Sequence, residues 1–430
     1  MTYIKAVCGH LHRSCHVPGT TDIELLQRRR GHYAVLRRRP PTMGRLFSST
    51  GVLLLAVFGG VYLRIRPFLA AAGVWRTAES IGNGNCKIIP QLQACEKAVL
   101  HQPTGLVYLA CSTPHSRAQW TPALNRLNAS GRSETDYVAT YDSKTDVINR
   151  LQFSALPSQS GISLHGMDVV ASSEDPSVLY VYLVNHRKPE TGDPWKVGAD
   201  SVIELFKTQS GSNTLEYVRT FRDPLVLLTP NDVVGSSDGK SCHFTNDHSQ
   251  KTGLKRRLGL LTQLSDSSVG FCHVDGGCKF AYTGLHASNG IVNSGNDTFY
   301  VGDCLLGDIT VLERQSDNTL AFIEAIKTGR SSDNLAIDAN GALWVAGLSD
   351  ALGMILRQIN DPSVPVASSA LRITANRGLG SFYGVKYNVD KIFEDPGELA
   401  SGSTSVVYDS ERKRLFMHGI MSPHLTVCSL

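Results

Sequence analysis

Five separate segments of the chain open with a side chain that could hold a metal ion or transfer a proton. The opening residues are Glu96, His165, Asn231, Asn289 and the pair Asp333–Asn334. The two carboxylates and three amides offer hard oxygen ligands, which suit Ca²⁺. Zinc would want imidazole or thiolate ligands instead. If these side chains meet, the sequence predicts a calcium site.

Two histidines accompany this set. His165 opens the second segment, where its imidazole could act as the base that activates water. His186 ends the following strand (YLVNH) and could orient His165 and raise its basicity if the two rings meet. A calcium ion can polarise a carbonyl or phosphoryl oxygen, so the combination is typical of a hydrolytic site. Taken singly, each of these residues is more often a strand cap or an ordinary core or surface residue.

The opening residues recur because they belong to copies of one pattern. In each copy a polar residue is followed by small or aliphatic residues, then by a turn rich in Asp, Gly, Asn or Pro, then by a short strand with a central aromatic. Such copies indicate radially repeated four-stranded sheets. We therefore predict an all-β, six-bladed β-propeller over residues 80–430, whose blades bring the opening residues to the central axis. The six copies start at Glu96, His165, Asn231, Asn289, Asp333 and Ser403.

The N-terminal part of the chain has a different character. Residues 46–63 (LFSSTGVLLLAVFGGVYL) form a long uncharged, mostly apolar run that follows clustered arginines. We predict a basic, disordered tail over residues 1–42 and a hydrophobic signal-anchor or transmembrane helix over residues 46–75. The upstream side carries more positive charge and should stay cytoplasmic, which places the propeller on the lumenal or extracellular side. A signal peptide cleaved near Ala70–Ala72, with secretion of the rest, is the alternative.

Charge and cysteine content agree with a secretory location. The net charge of +4 is modest and comes largely from the N-terminal arginines, so nothing indicates a nucleic-acid partner. The ten cysteines include no CxxC pair, which argues against a zinc knuckle. A bond between Cys86 and Cys428 would tie the first strand to the last, and Cys272 with Cys278 could close a small loop. The remaining prediction from composition is glycosylation, at the sequons of Asn128 and Asn296.

From about Cys86 to Leu430 the order of motifs resembles the serum paraoxonase/arylesterase family, of which the chain would be a divergent member. Each motif is weak alone, but the ordered set is specific. The matching pieces are TPNDVV (Asn231–Asp232), TNDH (Thr245–His248), NGI (Asn289–Ile291), DNxxxD (Asp333–Asp338), LWV (Leu343–Val345) and a terminal GST…CxL (Gly402–Thr404, Cys428, Leu430).

The resemblance implies a calcium-dependent hydrolase of carboxylic esters and lactones, with organophosphate triesters as incidental substrates. The family's calcium ligands, one Glu, three Asn and one Asp, fall on Glu96, Asn231, Asn289, Asn334 and Asp333. Its histidine pair falls on His165 and His186. Its disulfide falls on Cys86 and Cys428, and its pocket wall falls on Asp247 and His248. Its retained hydrophobic N-terminus resembles the run before Leu63.

One position departs from the family at its second, structural calcium site. By resemblance, the second ion would be held by three groups: the Asp that follows the ligand Glu in the family, Asp232, and the backbone carbonyl of Met167. This chain has Lys97 where the family has that first Asp. Lys97 removes a ligand and adds a positive charge, so we expect its ammonium to pair with Asp232 and replace the ion. Residues 251–280 also differ strongly from the animal proteins, so their substrate choice is not carried over.

Two other classes of function stay open. One is a non-catalytic propeller that keeps calcium as a structural pin and acts as a binding module. The other is the related strictosidine-synthase or gluconolactonase-like class, which should lack the terminal disulfide and the ordered DN and TNDH motifs. The intact histidine pair favours the enzyme over the binding module.

Overall fold

A computed structural model describes residues 43–156, 161–256 and 265–430, so the predicted tail over residues 1–42 lies outside the described residues. Helices α1 to α4 span Met43–Ala71, Pro114–Gln119, Pro194–Val197 and Ala351–Gly353, and shorter helical turns span Pro122–Leu124, Ala129–Gly131, Met354–Gln358 and Leu379–Tyr383. The strands, in chain order, are β1 (Cys86–Ile89), β2 (Cys95–His101), β3 (Leu106–Cys111), β4 (Trp120–Thr121), β5 (Arg126–Leu127), β6 (Tyr137–Asp142), β7 (Val147–Arg150), β8 (Gln152–Ser154), β9 (Leu164–Ala171), β10 (Val178–Arg187), β11 (Asp200–Gln209), β12 (Thr214–Phe221), β13 (Pro230–Gly235), β14 (Ser241–Asn246), β15 (Ser267–His273), β16 (Gly277–Leu285), β17 (Ser288–Asn293), β18 (Thr298–Asp303), β19 (Asp308–Arg314), β20 (Leu320–Lys327), β21 (Ser331–Ile337), β22 (Leu343–Leu348), β23 (Ser368–Ala375), β24 (Tyr387–Asp395), β25 (Ser405–Asp409), β26 (Arg414–His418) and β27 (Leu425–Ser429).

Six antiparallel sheets form the blades of a propeller, which confirms the predicted fold class. Blades 1 to 6, each from the axis outward, are β2-β3-β6-β7, β9-β10-β11-β12, β13-β14-β15-β16, β17-β18-β19-β20, β21-β22-β23-β24 and β25-β26-β27-β1. Strand β8 adds a fifth, parallel strand to the outer edge of blade 2. Each inner strand contacts the inner strands of the two neighbouring blades, so the ring closes.

Blade 6 joins the two ends of the folded region. Strand β1 pairs with β27, and Cys86 lies opposite Cys428 and is bonded to it, as predicted. Because the first strand completes the last blade, ring closure does not depend on the disulfide alone. Two further disulfides join paired strands within one blade: Cys95–Cys111, which the sequence analysis did not predict, and Cys272–Cys278.

Apolar side chains fill the spaces between neighbouring blades. The aromatic residues of the second strands, predicted from the repeat, supply much of this core. Blades face each other across a wedge that widens outward, and large rings fill such a wedge better than aliphatic chains do. The aromatic residues of the second strands that are at most 1% exposed are Tyr108, Tyr182, Phe244, Trp344 and Phe416.

Helix α1 contains the predicted hydrophobic segment. Its 21 residues Gly51–Ala71 have a mean hydropathy of 1.7 and none before Ala71 is buried, so the helix is long and apolar enough to cross a membrane. The helix ends at Ala71 rather than at the predicted residue 75. Gly73 has a φ of +85°, the left-handed conformation in which helices commonly stop. Arg76 then donates hydrogen bonds to the carbonyls of Ala70 and Gly329, at 3.0 and 2.8 Å.

Candidate active site

The residues predicted to face the axis lie near the starts of the inner strands, and all of them are buried. Two glycines allow these strands to come close together. A Cβ on Gly166 would lie 2.3 Å from the carbonyl oxygen of Asn231, and a Cβ on Gly290 would lie 2.7 Å from that of Asp333. Only glycine fits such approaches, so the residues that follow His165 and Asn289 bring neighbouring blades into contact at the hub.

Two buried carboxylates, Glu96 and Asp333, face this hub. Thr404 of the sixth copy donates a hydrogen bond of 2.6 Å to Glu96 Oε2. Burial raises the pKa of Glu96 to about 7, against the opposing effect of that hydrogen bond. Burial, and secondly the charge of Glu96, raises the pKa of Asp333 well above its usual value. Two such groups ionise together only when a cation lies nearby.

The amides of Asn231 and Asn289 complete an oxygen-lined site. Their Oδ1 atoms are buried and have no hydrogen-bond donor among the described residues. A buried acceptor without a donor is costly, and a hard cation would satisfy both oxygens while balancing the two carboxylates. The donor set therefore fits calcium. No group of three His, Cys, Asp or Glu in the described parts of the chain has a metal-binding arrangement, so the fit depends on the amides.

Asn334 is placed differently from the other predicted ligands. Its amide nitrogen donates to Glu96 Oε1 at 3.0 Å, whereas its Oδ1 accepts from Lys97 Nζ at 3.3 Å. Ligation of an ion between Glu96 and Asp333 through Oδ1 requires this amide to turn over. The amide has its present orientation because the positive charge of Lys97 attracts the amide oxygen.

His165 and His186 are neighbours, with ring centroids 5.1 Å apart. Asn231 Nδ2 donates to His165 Nε2 at 3.3 Å, and Glu96 Oε1 lies 3.9 Å from the same nitrogen. Nε2 is therefore the nitrogen that faces the oxygen-lined site; with Asn231 Nδ2 as the donor, the proton of the neutral ring is on Nδ1. His186 Nδ1 is hydrogen-bonded to Ser201 Oγ at 2.8 Å.

Both rings are neutral in their buried setting. Burial, with a smaller effect of His186 and Arg117, holds the pKa of His165 well below its ordinary value. Burial lowers the pKa of His186 to about 3. His165 Nδ1 and His186 Nε2 have no hydrogen-bond partner among the described residues. Each ring therefore has one nitrogen that makes no hydrogen bond within the described residues, and the two rings are neighbours.

Arg117 is a residue that the sequence analysis missed. Its guanidinium is buried and donates to the carbonyls of Leu164 and Ala94, which lie one residue before His165 and two residues before Glu96. Arg117 thus links the strand that carries the histidine to the strand that carries the carboxylate. A lone arginine on the short helix α2 gives no sequence signal for this role.

Asp247 and His248, the predicted wall residues, lie next to His186. Burial alone would raise the pKa of Asp247, but His248 and Arg256 hold it well below its usual value. His248 Nδ1 and Arg256 Nη1 lie 3.0 and 3.6 Å from Asp247 Oδ1. A small cavity beside His186 is lined by Asp247, Arg256, Ser201 and Thr229, among others.

The remaining predicted positions are placed as follows. Lys97 Nζ pairs with Asp232 Oδ2 at 2.5 Å, as expected from the sequence. The side chain of Met167 is fully buried in the core between blades 1 and 2. Asn128 and Asn296 are exposed, in a loop and in a hairpin of blade 4, and their glycosylation stays a prediction.

Several known proteins are similar to this chain over most of its length. The family model described as Arylesterase matches residues 78–429. Serum paraoxonase/arylesterase 2 of Rattus norvegicus is 25% identical over 394 residues, which cover 90% of this chain and 100% of the rat protein. Serum paraoxonase/lactonase 3 of Homo sapiens is 22% identical over 366 residues, which cover 84% and 94% of the two chains. A solved gluconolactonase of Xanthomonas campestris matches with a TM-score of 0.43 at 13% identity, covering 83% of this chain and 99% of that one.

The fold and the site define a class of protein: six-bladed propellers that have an oxygen-lined hub and a histidine pair beside it. Within that class, the match over residues 78–429 shows that the chain belongs to the Arylesterase family.

Proposed function

We propose that this chain is a calcium-dependent hydrolase of carboxylic esters and lactones. Membership of the Arylesterase family makes it an ester-hydrolysing enzyme; the proposal adds the ion and the proton-transfer residues. Glu96, Asp333, Asn231 and Asn289 would hold the calcium ion, with Asn334 as a fifth ligand after its amide turns over. The bound ion would polarise the substrate carbonyl and stabilise the negative charge that develops on its oxygen.

One observation carries the proposal: two buried amide oxygens that have no donor in the part of the chain the structure describes lie at the same hub as two buried carboxylates that repel each other. Such an arrangement is unfavourable in a protein without a cation, because unpaired buried acceptors and like charges both destabilise it. The arrangement is therefore typical of a site that is built for binding rather than for packing.

The histidine pair would handle the proton. His165 Nε2 faces the oxygen-lined site, so it is the atom that takes the proton from an attacking water. Its low pKa keeps the ring neutral at neutral pH, so one of its nitrogens can accept a proton. Ser201 orients His186, which in turn supports His165 and gives the proton a route to the leaving oxygen.

The protein would work on the lumenal or extracellular side of a membrane, or outside the cell. Three disulfides among the described residues fit an oxidising compartment. The apolar helix α1, preceded by clustered arginines, would serve as a retained single-pass anchor. Its partners would be small ester or lactone substrates and the membrane.

Hydrolysis of an aryl acetate and of a γ-lactone tests the proposal. Turnover of both should disappear on chelation and return with added calcium. Asp333→Ala should lower kcat/KM by roughly 10²–10³, because one of the two anionic ligands is lost. Asp297→Ala, at an exposed carboxylate in a hairpin of blade 4, is the matched control and should keep full activity.

Two outcomes would contradict the proposal. If turnover persists in chelator and in Asp333→Ala, calcium is not part of the mechanism. If the calcium-loaded wild-type protein hydrolyses neither substrate, the non-catalytic binding propeller becomes the better account.

A further inference from the structure

A buried ammonium lies in the hub, one residue further along the inner strand than Glu96. Lys97 Nζ is 2.5 Å from Asp232 Oδ2, 3.3 Å from Asn334 Oδ1 and 3.5 Å from the carbonyl oxygen of Leu335. The side chains of Lys97 and Asp232 are only 5% and 0% exposed. A carboxylate and a backbone carbonyl thus surround one positive charge, together with an amide oxygen that would leave this set when Asn334 turns over to bind the first ion.

These oxygens come from separate blades. Asp232 lies on blade 3, Asn334 and Leu335 lie on blade 5, and Lys97 reaches them from blade 1. The buried carboxylate of Asp168, on blade 2, also feels the charge of Lys97. Asp232 Oδ2 further accepts the backbone N–H of Ile291 on blade 4, at 3.0 Å. The Lys97 ammonium therefore links blade 1 directly to blades 3 and 5, and the carboxylate that it pairs with is itself bonded to blade 4.

Mixed carboxylate, amide and carbonyl oxygens are what a hard divalent cation selects. The resemblance of the sequence implies a second calcium ion here, but the residues present do not fit one. The Lys97 ammonium already lies against Asp232 Oδ2, and a second positive charge there would be repelled. A cation bound through the chain cannot dissociate, so this part of the hub does not depend on the calcium concentration.

We propose that Lys97 is a built-in cation that takes the place of a second calcium ion and pins the blades at the hub. The inference concerns the second ion only; the first ion rests on the proposed function. A variant that removes the ammonium and adds a carboxylate should recreate an ion site, since Asp232, Asp168 and the Leu335 carbonyl remain. A cavity of about 330 Å³, lined by Lys97, Asp168 and Leu335 among mostly apolar residues, would let the ion enter.

The test compares bound calcium in the full-length wild-type protein, Lys97→Asp and Lys87→Asp. Lys87 lies on β1 in an exposed pair with Asp146, so it is a matched control. Calcium per chain is measured by elemental analysis after dialysis at a fixed free concentration. Lys97→Asp should bind one ion more than the wild type, and Lys87→Asp should bind the same number as the wild type. Two ions in the wild type, or equal numbers in wild type and a folded Lys97→Asp, would overturn the inference.

The count also separates this inference from the proposed function. No ion in the wild type and one in Lys97→Asp would contradict the calcium mechanism and support the role of Lys97. If Lys97→Asp does not fold, Lys97→Met gives a second measurement. It leaves Asp232 buried without its cation, so its Tm should fall about 5–10 °C below that of Lys87→Met. Equal Tm values for the two variants would overturn the inference.

Discussion

The arrangement around His165 leaves a buried, neutral imidazole facing the site, as the proposed base requires. Asn231 donates to Nε2, so this nitrogen carries its lone pair toward the site, and burial keeps the ring neutral. A buried histidine usually has both nitrogens satisfied, as His418 does through Leu92 and Gly419. His165 and His186 each keep one nitrogen without a partner among the described residues, which is unfavourable unless it serves function.

We predict that His165→Gln lowers kcat by about 10²–10⁴ while leaving calcium affinity within a few-fold of the wild type. Glutamine can still accept the Asn231 hydrogen bond, but it cannot take a proton. Stopped-flow or steady-state hydrolysis and calcium titration would give the two quantities. His101→Gln, at a surface histidine far along β2, is the control. Unchanged kcat in His165→Gln would exclude His165 as the base.

A second residue links stability to pH. Asp303, at the end of β18, is 7% exposed, and burial raises its pKa to about 7 against the hydrogen bonds from the Leu305 and Leu306 amides. Because the folded state favours the protonated form, the contribution of Asp303 to the free energy of unfolding is fully present below the ordinary carboxyl pKa. It is lost as pH rises through about 7.

We therefore expect the Tm of the wild type to fall between pH 5 and pH 8 by more than that of Asp303→Asn. The amide keeps an oxygen for the two backbone donors and does not titrate. Calorimetry of both proteins across this range measures the difference. Parallel curves would show that Asp303 does not titrate near neutral pH.

At the scale of the elements, the ring is closed by a strand and by a covalent bond at the same place. β1 pairs with β27 along four residue pairs, and Cys86–Cys428 lies at one end of that ladder. The Cys272–Cys278 bond instead joins the two sides of one hairpin. The sequence separations, 342 and 6 residues, differ so much that the two bonds should differ in effect.

We predict that replacing Cys86 and Cys428 by serine destabilises the fold by about 6 kcal/mol and that replacing Cys272 and Cys278 costs about 2 kcal/mol, on the loop-entropy model. Chemical denaturation of the two double variants would compare them. A loss that is equal in both would mean that the strand pairing, not the bond, closes the ring.

At the scale of the whole molecule, helix α1 is the part that would decide where the enzyme works. Its apolar side chains from Val52 to Leu63 are mostly exposed, and no packing within the described residues explains them. A stretch of this length and hydropathy would gain its stability from lipid, as the proposed anchor requires. The folded propeller begins close behind it, because Ala72 is already fully buried.

We predict that the full-length chain stays in the membrane fraction after alkaline carbonate extraction and that Leu55→Arg with Phe58→Arg releases it. Two arginines in the middle of a span cost about 5–7 kcal/mol of insertion free energy. Phe322→Arg, which adds an arginine at an exposed position of β20, is the control and should not change the fractionation. A wild-type chain that is soluble and begins after Ala72 would show instead that the helix is cleaved.

The sequence alone determined the number of blades, the Cys86–Cys428 bond and the set of residues at the axis. The blades and the axial positions are encoded locally: a repeated pattern of a polar residue, a turn and an aromatic strand indicates each blade, and its first residue indicates the axial position. The disulfide was instead predicted from the position of its cysteines at the two ends of the repeat and from the family resemblance. The sequence could not determine the orientation of the Asn334 amide, the link made by Arg117 or the Cys95–Cys111 bond. The first two depend on distances of a few ångströms between elements of different blades, which only the closed propeller defines. The disulfide depends on the register of β2 against β3, which sets Cys95 opposite Cys111.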